Sequence, residues 1–339
     1  MAYFKASPED FLVDEIALYP AIGTGPHTFV RIEKRLRTTE EVAEDLAQAF
    51  GLKRRDVGYA GRKDRVGVTR QWFSLPDIDP ERVTAAVLPD AKVLEAVRHQ
   101  NKLRTGHLRG NKFEIWVRGL TEAETEAAVA RLETVKQLGF ANRYGAQRFG
   151  RDGDNARRAL VILHRGAAPK DRRRARFLLS ALQAEVFNRV LDERPLEIGQ
   201  LEVGDLAVKH ESGGVFCVED VEADNARARI FEISPTGPMF GTKVAQPLGA
   251  PAQREAKILT EYGVPNQQDL KAPRGVSLKG ARRSLRVLPI EFAHQIDADA
   301  MKISVTLPSG SYATVLLEEV FGPLREGADV IPDGEGILA

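Results

Sequence analysis

Between Asp10 and Ile16 the chain alternates with a period of two, so Phe11, Val13 and Glu15 share one strand face and Leu12, Asp14 and Ile16 the other. This sets a carboxylate, Glu15, against an apolar surface, where burying it alone is costly. Glu15 therefore either meets a cation that fixes the first strand or serves in a site, and both readings stand. Further strands are expected over 27–33, 57–61, 68–75 and 112–118, where Phe113, Ile115 and Val117 alternate with polar neighbours. Thr38 to Glu41 reads as a capping box, which predicts a helix over 39–50 stopped by Gly51. Thr121 with Glu124 opens a second helix in the same way, ending at Gly139. This order of elements predicts an α+β domain with a mixed or antiparallel sheet. After Gly139, helices are expected over 155–164 and 172–192, then short strands to about 245, and finally strands over 301–307 and 311–317. Boundaries fall near Leu138 and Arg286.

The stretch from Gly58 to Gln71 sets Asp64 among Arg62, Lys63, Arg65 and Arg70. A carboxylate in that company serves as a nucleophile or a base while the cations hold a polyanion; the plain alternative is a polar hairpin tip. A second constellation runs from Gly106 to Phe113. Its two glycines permit close approach of a ligand, Asn111 offers a donor and an acceptor to a base edge, and Phe113 offers a stacking face. In a third, Asn142 to Gly150, aromatics alternate with Arg143 and Arg148, which suits RNA or simply a connecting loop.

Other chemistries find little support. The glycines at Gly23 and Gly25 lack the third of a dinucleotide loop, and Gly241-Thr242-Lys243 lacks a Walker frame. Six scattered histidines and the lone Cys217 draw no metal cluster and no thiol site. With one cysteine there is no intramolecular disulfide, the start lacks the apolar core of a signal peptide, and no apolar run approaches the roughly 18 residues of a membrane span. A cytoplasmic address follows as the expectation.

A net charge of +1 over 339 residues argues at first against a nucleic-acid partner, but the signs are segregated. The acid-free segment 96–113 carries Arg98, Lys102, Arg104, Arg109 and Lys112, and the acid-free segment 271–286 carries Lys271, Arg274, Lys279, Arg282, Arg283 and Arg286. Two such loops suggest a basic groove on a near-neutral protein; solvated helix faces, the plainer alternative, explain Arg172 to Arg176 better than they explain these.

In order along the chain, DFLVDE, GYAGRKDRVGVTRQWFSL, NKLRTGHLRGNKF, GAQRFG, PTGPMFG and LPSGSYAT resemble the TruD family of tRNA pseudouridine synthases over nearly the whole length. The resemblance implies a discontinuous catalytic domain over 1–137 and 287–339, with 138–286 inserted as a family-specific α/β lobe, the final strands completing the catalytic sheet and RNA lying between the lobes. It implies Asp64 as the catalytic aspartate and Lys63, Glu15, Asn111, Phe113 and Tyr312 as active-site support. Arg62, Arg65, Lys102, Arg104, Arg109, Lys112, Arg148, Lys279, Arg282 and Arg283 are the RNA-binding candidates. Tyr312 stands where the family usually has phenylalanine, and Arg143 where an aromatic is common. The implied reaction converts uridine to pseudouridine at position 13 of the tRNA D-stem, without cofactor or metal. No protein partner is required, and a monomer is the default. Two other classes compete: a non-catalytic RNA-binding protein, which does not need Asp64, and an N-glycosidase-type hydrolase using Glu15 and Asp64 as acid and nucleophile.

Overall fold

In the computed structural model, which describes residues 1–150, 152–266 and 268–327, the first capping box closes as its spacing demands. The Thr38 hydroxyl accepts the Glu41 amide at 3.2 Å and the Glu41 carboxylate accepts the Thr38 amide at 2.6 Å. The helix it starts is α1 in the series β1 (Tyr3–Phe4), β2 (Phe11–Ala17), β3 (His27–Arg35), α1 (Thr39–Phe50), β4 (Gly58–Tyr59), β5 (Val68–Pro76), α2 (Pro80–Thr84), β6 (Ala91–His99), β7 (Leu108–Arg118) and α3 (Glu122–Leu138). There follow β8 (Phe140–Ala141), α4 (Asn155–Arg165), α5 (Arg172–Asp192), β9 (Leu206–Lys209), β10 (Val215–Cys217), α6 (Val221–Arg229), β11 (Ile233–Met239), α7 (Gly249–Glu261), β12 (Ala281–Ser284) and β13 (Arg286–Val287). The last described elements are β14 (Ile290–Asp297), β15 (Ala300–Pro308), α8 (Ala313–Phe321) and β16 (Arg325–Glu326). The remainder of the last block, 328–339, lies outside the described residues.

Contacts divide the chain into two units. The first takes Met1–Leu132, Pro289–Gly310 and the chain from Val320; the second takes Glu133–Leu288 and Ser311–Glu319.

The first unit is a mixed sheet in the order β14-β15-β7-β2-β5-β3-β6, with β1 beside β7, β16 beside β1 and β4 beside β5. Among the described residues of this sheet only β2 with β5 and β1 with β16 pair in parallel. One face of β3 and β5 is covered by α1 and α2, where Val30, Ile32, Val42, Leu46, Phe73, Leu75 and Val83 form the core. The alternation of β2 holds: Phe11, Val13 and Glu15 are buried, and their neighbours are half-buried. While β3 runs along the whole of one edge of β5, the other edge is shared. Val68–Arg70 pair with β2, and Phe73–Ser74 pair with β4.

In the second unit α4, α5 and α7 enclose a core of Ala159, Leu163, Leu178, Leu182, Val186 and Ile258. A four-stranded sheet, β10-β9-β11-β12, carries a smaller core of Leu201, Ala207, Val218 and Ile233. Three expectations need correction. The run 311–317 is not a strand: α8 begins at Ala313 and buries Val315, Leu316, Leu317 and Val320. A contiguous apolar run fits either element by pattern alone. The partner strand of β15 is instead β14, whose charged residues hid it. The acid-free segment 96–113 is mostly β6 and β7, leaving only 100–107 as a loop.

Candidate active site

The loop that joins β4 to β5, residues 60–67, is tied down at its backbone along its length. The Thr39 hydroxyl, at the start of α1, accepts the Lys63 amide at 2.9 Å and donates to Gln71 Oε1 at 2.7 Å. Gln71, wholly buried, in turn donates to the Gly61 carbonyl at 3.3 Å. The Gly106 amide donates to the Ala60 carbonyl at 2.8 Å, which docks the loop 100–107 alongside. At the far end Gly67 has φ +144°, and a Cβ there would meet the Phe11 carbonyl at 2.6 Å, so the return into β5 requires glycine.

Glu15 sits where the edge of β5 passes from β2 to β4. Its Oε1 accepts the Trp72 amide at 3.2 Å, and its Oε2 takes the Lys63 ammonium at 2.5 Å. Burial pushes the Glu15 carboxyl up; the Lys63 charge and the Trp72 amide draw it back down. Thus Lys63 serves Glu15, and strand alternation had left open whether it would serve Asp64. Asp64, half-buried, has no hydrogen bond or ion pair at its carboxylate among the described residues. Its backbone carbonyl is gripped instead, by the ammonium of Lys34 at 2.8 Å.

Antiparallel pairing sets Asn111 opposite Glu15 and Phe113 opposite Val13, so both share the face of Glu15. Phe113 is buried with its ring edge to Phe11 at 6.2 Å, a wall more than an open platform. Asn111 Oδ1 is buried without a donor among the described residues. Pairing carries the row on through Val13 and Thr69 to Lys34, which is 1% exposed. Lys34 was missed because the strand expectation stopped at 33; extended, the alternation of Val30 and Ile32 puts it in phase with the buried face.

The basic candidates part company. Arg104, Arg109, Arg65 and Lys279 are exposed, Arg65 donating to the Leu36 carbonyl at 3.3 Å. Arg62 is exposed and paired with Glu40, and Lys102 donates to the Arg55 carbonyl at 2.6 Å. Lys112 points to the other face of the sheet, that of Asp14 and Glu114, and so away from Asn111. Arg282 is corrected outright: its side chain is 2% exposed, forked onto Glu255 at 2.8 and 2.7 Å and bonded to Thr236, so no phosphate can reach it. Arg283 is likewise structural, donating to the Asn142 carbonyl at 3.1 Å and lying 4.2 Å over the Tyr144 ring. Tyr144 also meets Tyr312 at 6.0 Å and lies 5.8 Å from the Arg148 guanidinium, all within the second unit. Burial pushes the Tyr312 hydroxyl up. Among the described residues no trio of histidine, cysteine or carboxylate side chains is disposed to hold a metal, and no helix is long and apolar enough to cross a membrane.

The family model described as tRNA pseudouridine synthase D (TruD) matches residues 2–166 and 167–320. The chain is 42% identical to the tRNA pseudouridine synthase D of Anaeromyxobacter dehalogenans (strain 2CP-C), over 93% of this chain and 92% of that one. It is 36% identical to that of Geotalea daltonii, over 94% and 96%. A solved structure from Methanosarcina mazei carrying the same family name superposes with a TM-score of 0.74 at 22% identity, covering 95% of this chain and 94% of that one, which shows a shared fold.

Proposed function

The chain belongs to the TruD family, and we propose that it isomerises uridine to pseudouridine in tRNA, at position 13 of the D-stem, with Asp64 as the catalytic carboxylate. The observation that carries the role of Asp64 is the contrast within its loop. The backbone of residues 60–67 is bonded to β3, α1, β5 and the 100–107 loop, yet the Asp64 carboxylate has no hydrogen bond or ion pair among the described residues and meets the Lys34 ammonium only through its charge. A rigid loop presenting a free carboxylate is what positioning a nucleophile or base requires.

The reaction breaks the bond from N1 to the ribose, turns the uracil and joins C5 to the same carbon, so atoms and electrons balance without an added reactant. Asp64 opens that sequence as nucleophile or as base. The target base must leave its stack, and Phe113, on the sheet face of Glu15 and Asn111, is the ring read as flanking it. Asn111 Oδ1, an acceptor in want of a donor, suits the N3–H of uracil, which cytosine lacks. Glu15 keeps Lys63 and the loop in place. With both its oxygens engaged it is ill placed to protonate a leaving group, which disfavours the hydrolase reading. The catalytic domain is read as 1–137 with 287–339 and the inserted lobe as 138–286, while contacts group Ser311–Glu319 with the second unit; a tRNA substrate agrees with a cytoplasmic address.

Asp64→Asn and Asp64→Ala are expected to abolish tritium release from C5-labelled uridine in tRNA while tRNA affinity stays within about tenfold, since binding rests on many phosphate contacts. Pseudouridine formation by either variant would sink the assignment.

A further inference from the structure

A lysine buried without a carboxylate partner is expensive, and Lys34 is one. Its ammonium makes no ion pair among the described residues; it donates to two backbone carbonyls, Arg37 at 2.5 Å and Asp64 at 2.8 Å. The first acceptor closes the turn from β3 into α1, and the second belongs to the residue read as catalytic. Lys34 itself cannot drift, because β3 is paired on both edges, with Thr69 opposite on β5 and Ala91 opposite on β6.

We propose that Lys34 is a positioning residue for the reaction: by holding the carbonyl of Asp64 from a fixed strand, it sets the backbone torsions that aim the Asp64 carboxylate. The inference rests on Asp64 being the catalytic carboxylate. A positive charge also matters here, because bonds from an ammonium to a carbonyl are about twice as strong as neutral ones. Burial draws the Lys34 ammonium down to about 8, and the Lys63 charge adds to this; Asp64 from the loop and Glu41 and Glu40 from α1 oppose it. Above that pH the grip on Asp64 weakens, and turnover falls with it.

The test is single-turnover pseudouridine formation in tRNA by the full chain, followed from about pH 6 to about pH 10. The unaltered protein should lose rate on the alkaline side with a midpoint near 8. Lys34→Arg, whose guanidinium stays charged, should move that limb upward. Lys34→Met should lower the rate by about 100-fold, leave the tRNA concentration dependence within about threefold, and show no limb near 8. Methionine removes the buried ammonium while keeping an unbranched apolar stem one atom shorter, so the strand packing is largely kept. If it fails to fold, the limb of Lys34→Arg decides. An unchanged rate in Lys34→Met, or an alkaline limb that stays put in Lys34→Arg, overturns the proposal. Should Asp64→Asn remain active, it is the reading of Asp64 that fails; an inactive Asp64→Asn beside a fully active Lys34→Met removes Lys34 alone.

Discussion

Lys63 delivers its ammonium to Glu15 at 2.5 Å, where the two side chains retain only 5% and 1% exposure. Removing one partner strands the other as a buried charge. Glu15→Ala and Lys63→Met are therefore each expected to cost about 3–5 kcal/mol of stability, while Glu15→Met with Lys63→Met costs less than either. Urea unfolding of the three proteins measures this, and additive losses would show that the two groups do not depend on each other.

The orphaned Asn111 Oδ1 carries an opposite signature. An unpaired buried acceptor costs about 1–3 kcal/mol in the free protein. Asn111→Leu should thus melt at the same temperature or higher while losing about 100-fold in kcat/KM. Loss of both stability and activity would mark Asn111 as part of the scaffold instead.

RNA affinity separates the exposed arginines from the buried ones. Arg104→Ala and Arg109→Ala should each flatten the slope of log affinity against log salt by about 0.7–0.9, one phosphate contact apiece. Arg282→Ala should leave the slope alone and destabilise the protein, because it abandons Glu255 in the interior.

His27 and His99 face each other across β3 and β6, and burial holds both below the usual histidine value of about 6.5. The unfolded chain therefore binds more protons than the folded one just below that value. Their contribution to stability is present above it and is lost as the pH falls through the depressed folded values. Melting temperature should drop on acidification from about pH 7 to about pH 5, and His27→Gln with His99→Gln should flatten the drop; an unaltered acid limb in the double variant would assign it to other groups.

Local signals made much of this legible. Thr38 and Glu41 specify a helix start within four residues, and the alternation of Phe11, Val13 and Glu15 specifies which side of β2 is buried. Asp64 stood out because its cations are sequence neighbours. What stayed hidden depends on distance along the chain. Lys34 meets a carbonyl 30 residues on, and backbone acceptors leave no mark in a sequence. Arg282 looked like part of a basic run because Glu255, its partner, lies 27 residues back on α7. For Val315, Leu316 and Leu317 the pattern itself was ambiguous, and only packing chose the helix.

The divided edge of β5 couples activity to folding accuracy. Glu15 reaches Lys63 only because β2 pairs in one register with β5 and β7. A slip of one residue would turn Asp14 inward and send Glu15 to solvent. A molecule so misassembled keeps its sheet but has no seat for Lys63, and with it loses one of the ties on the Asp64 loop. Turnover per mole of protein thus doubles as a gauge of strand registration, reporting errors that a secondary-structure spectrum would pass as native.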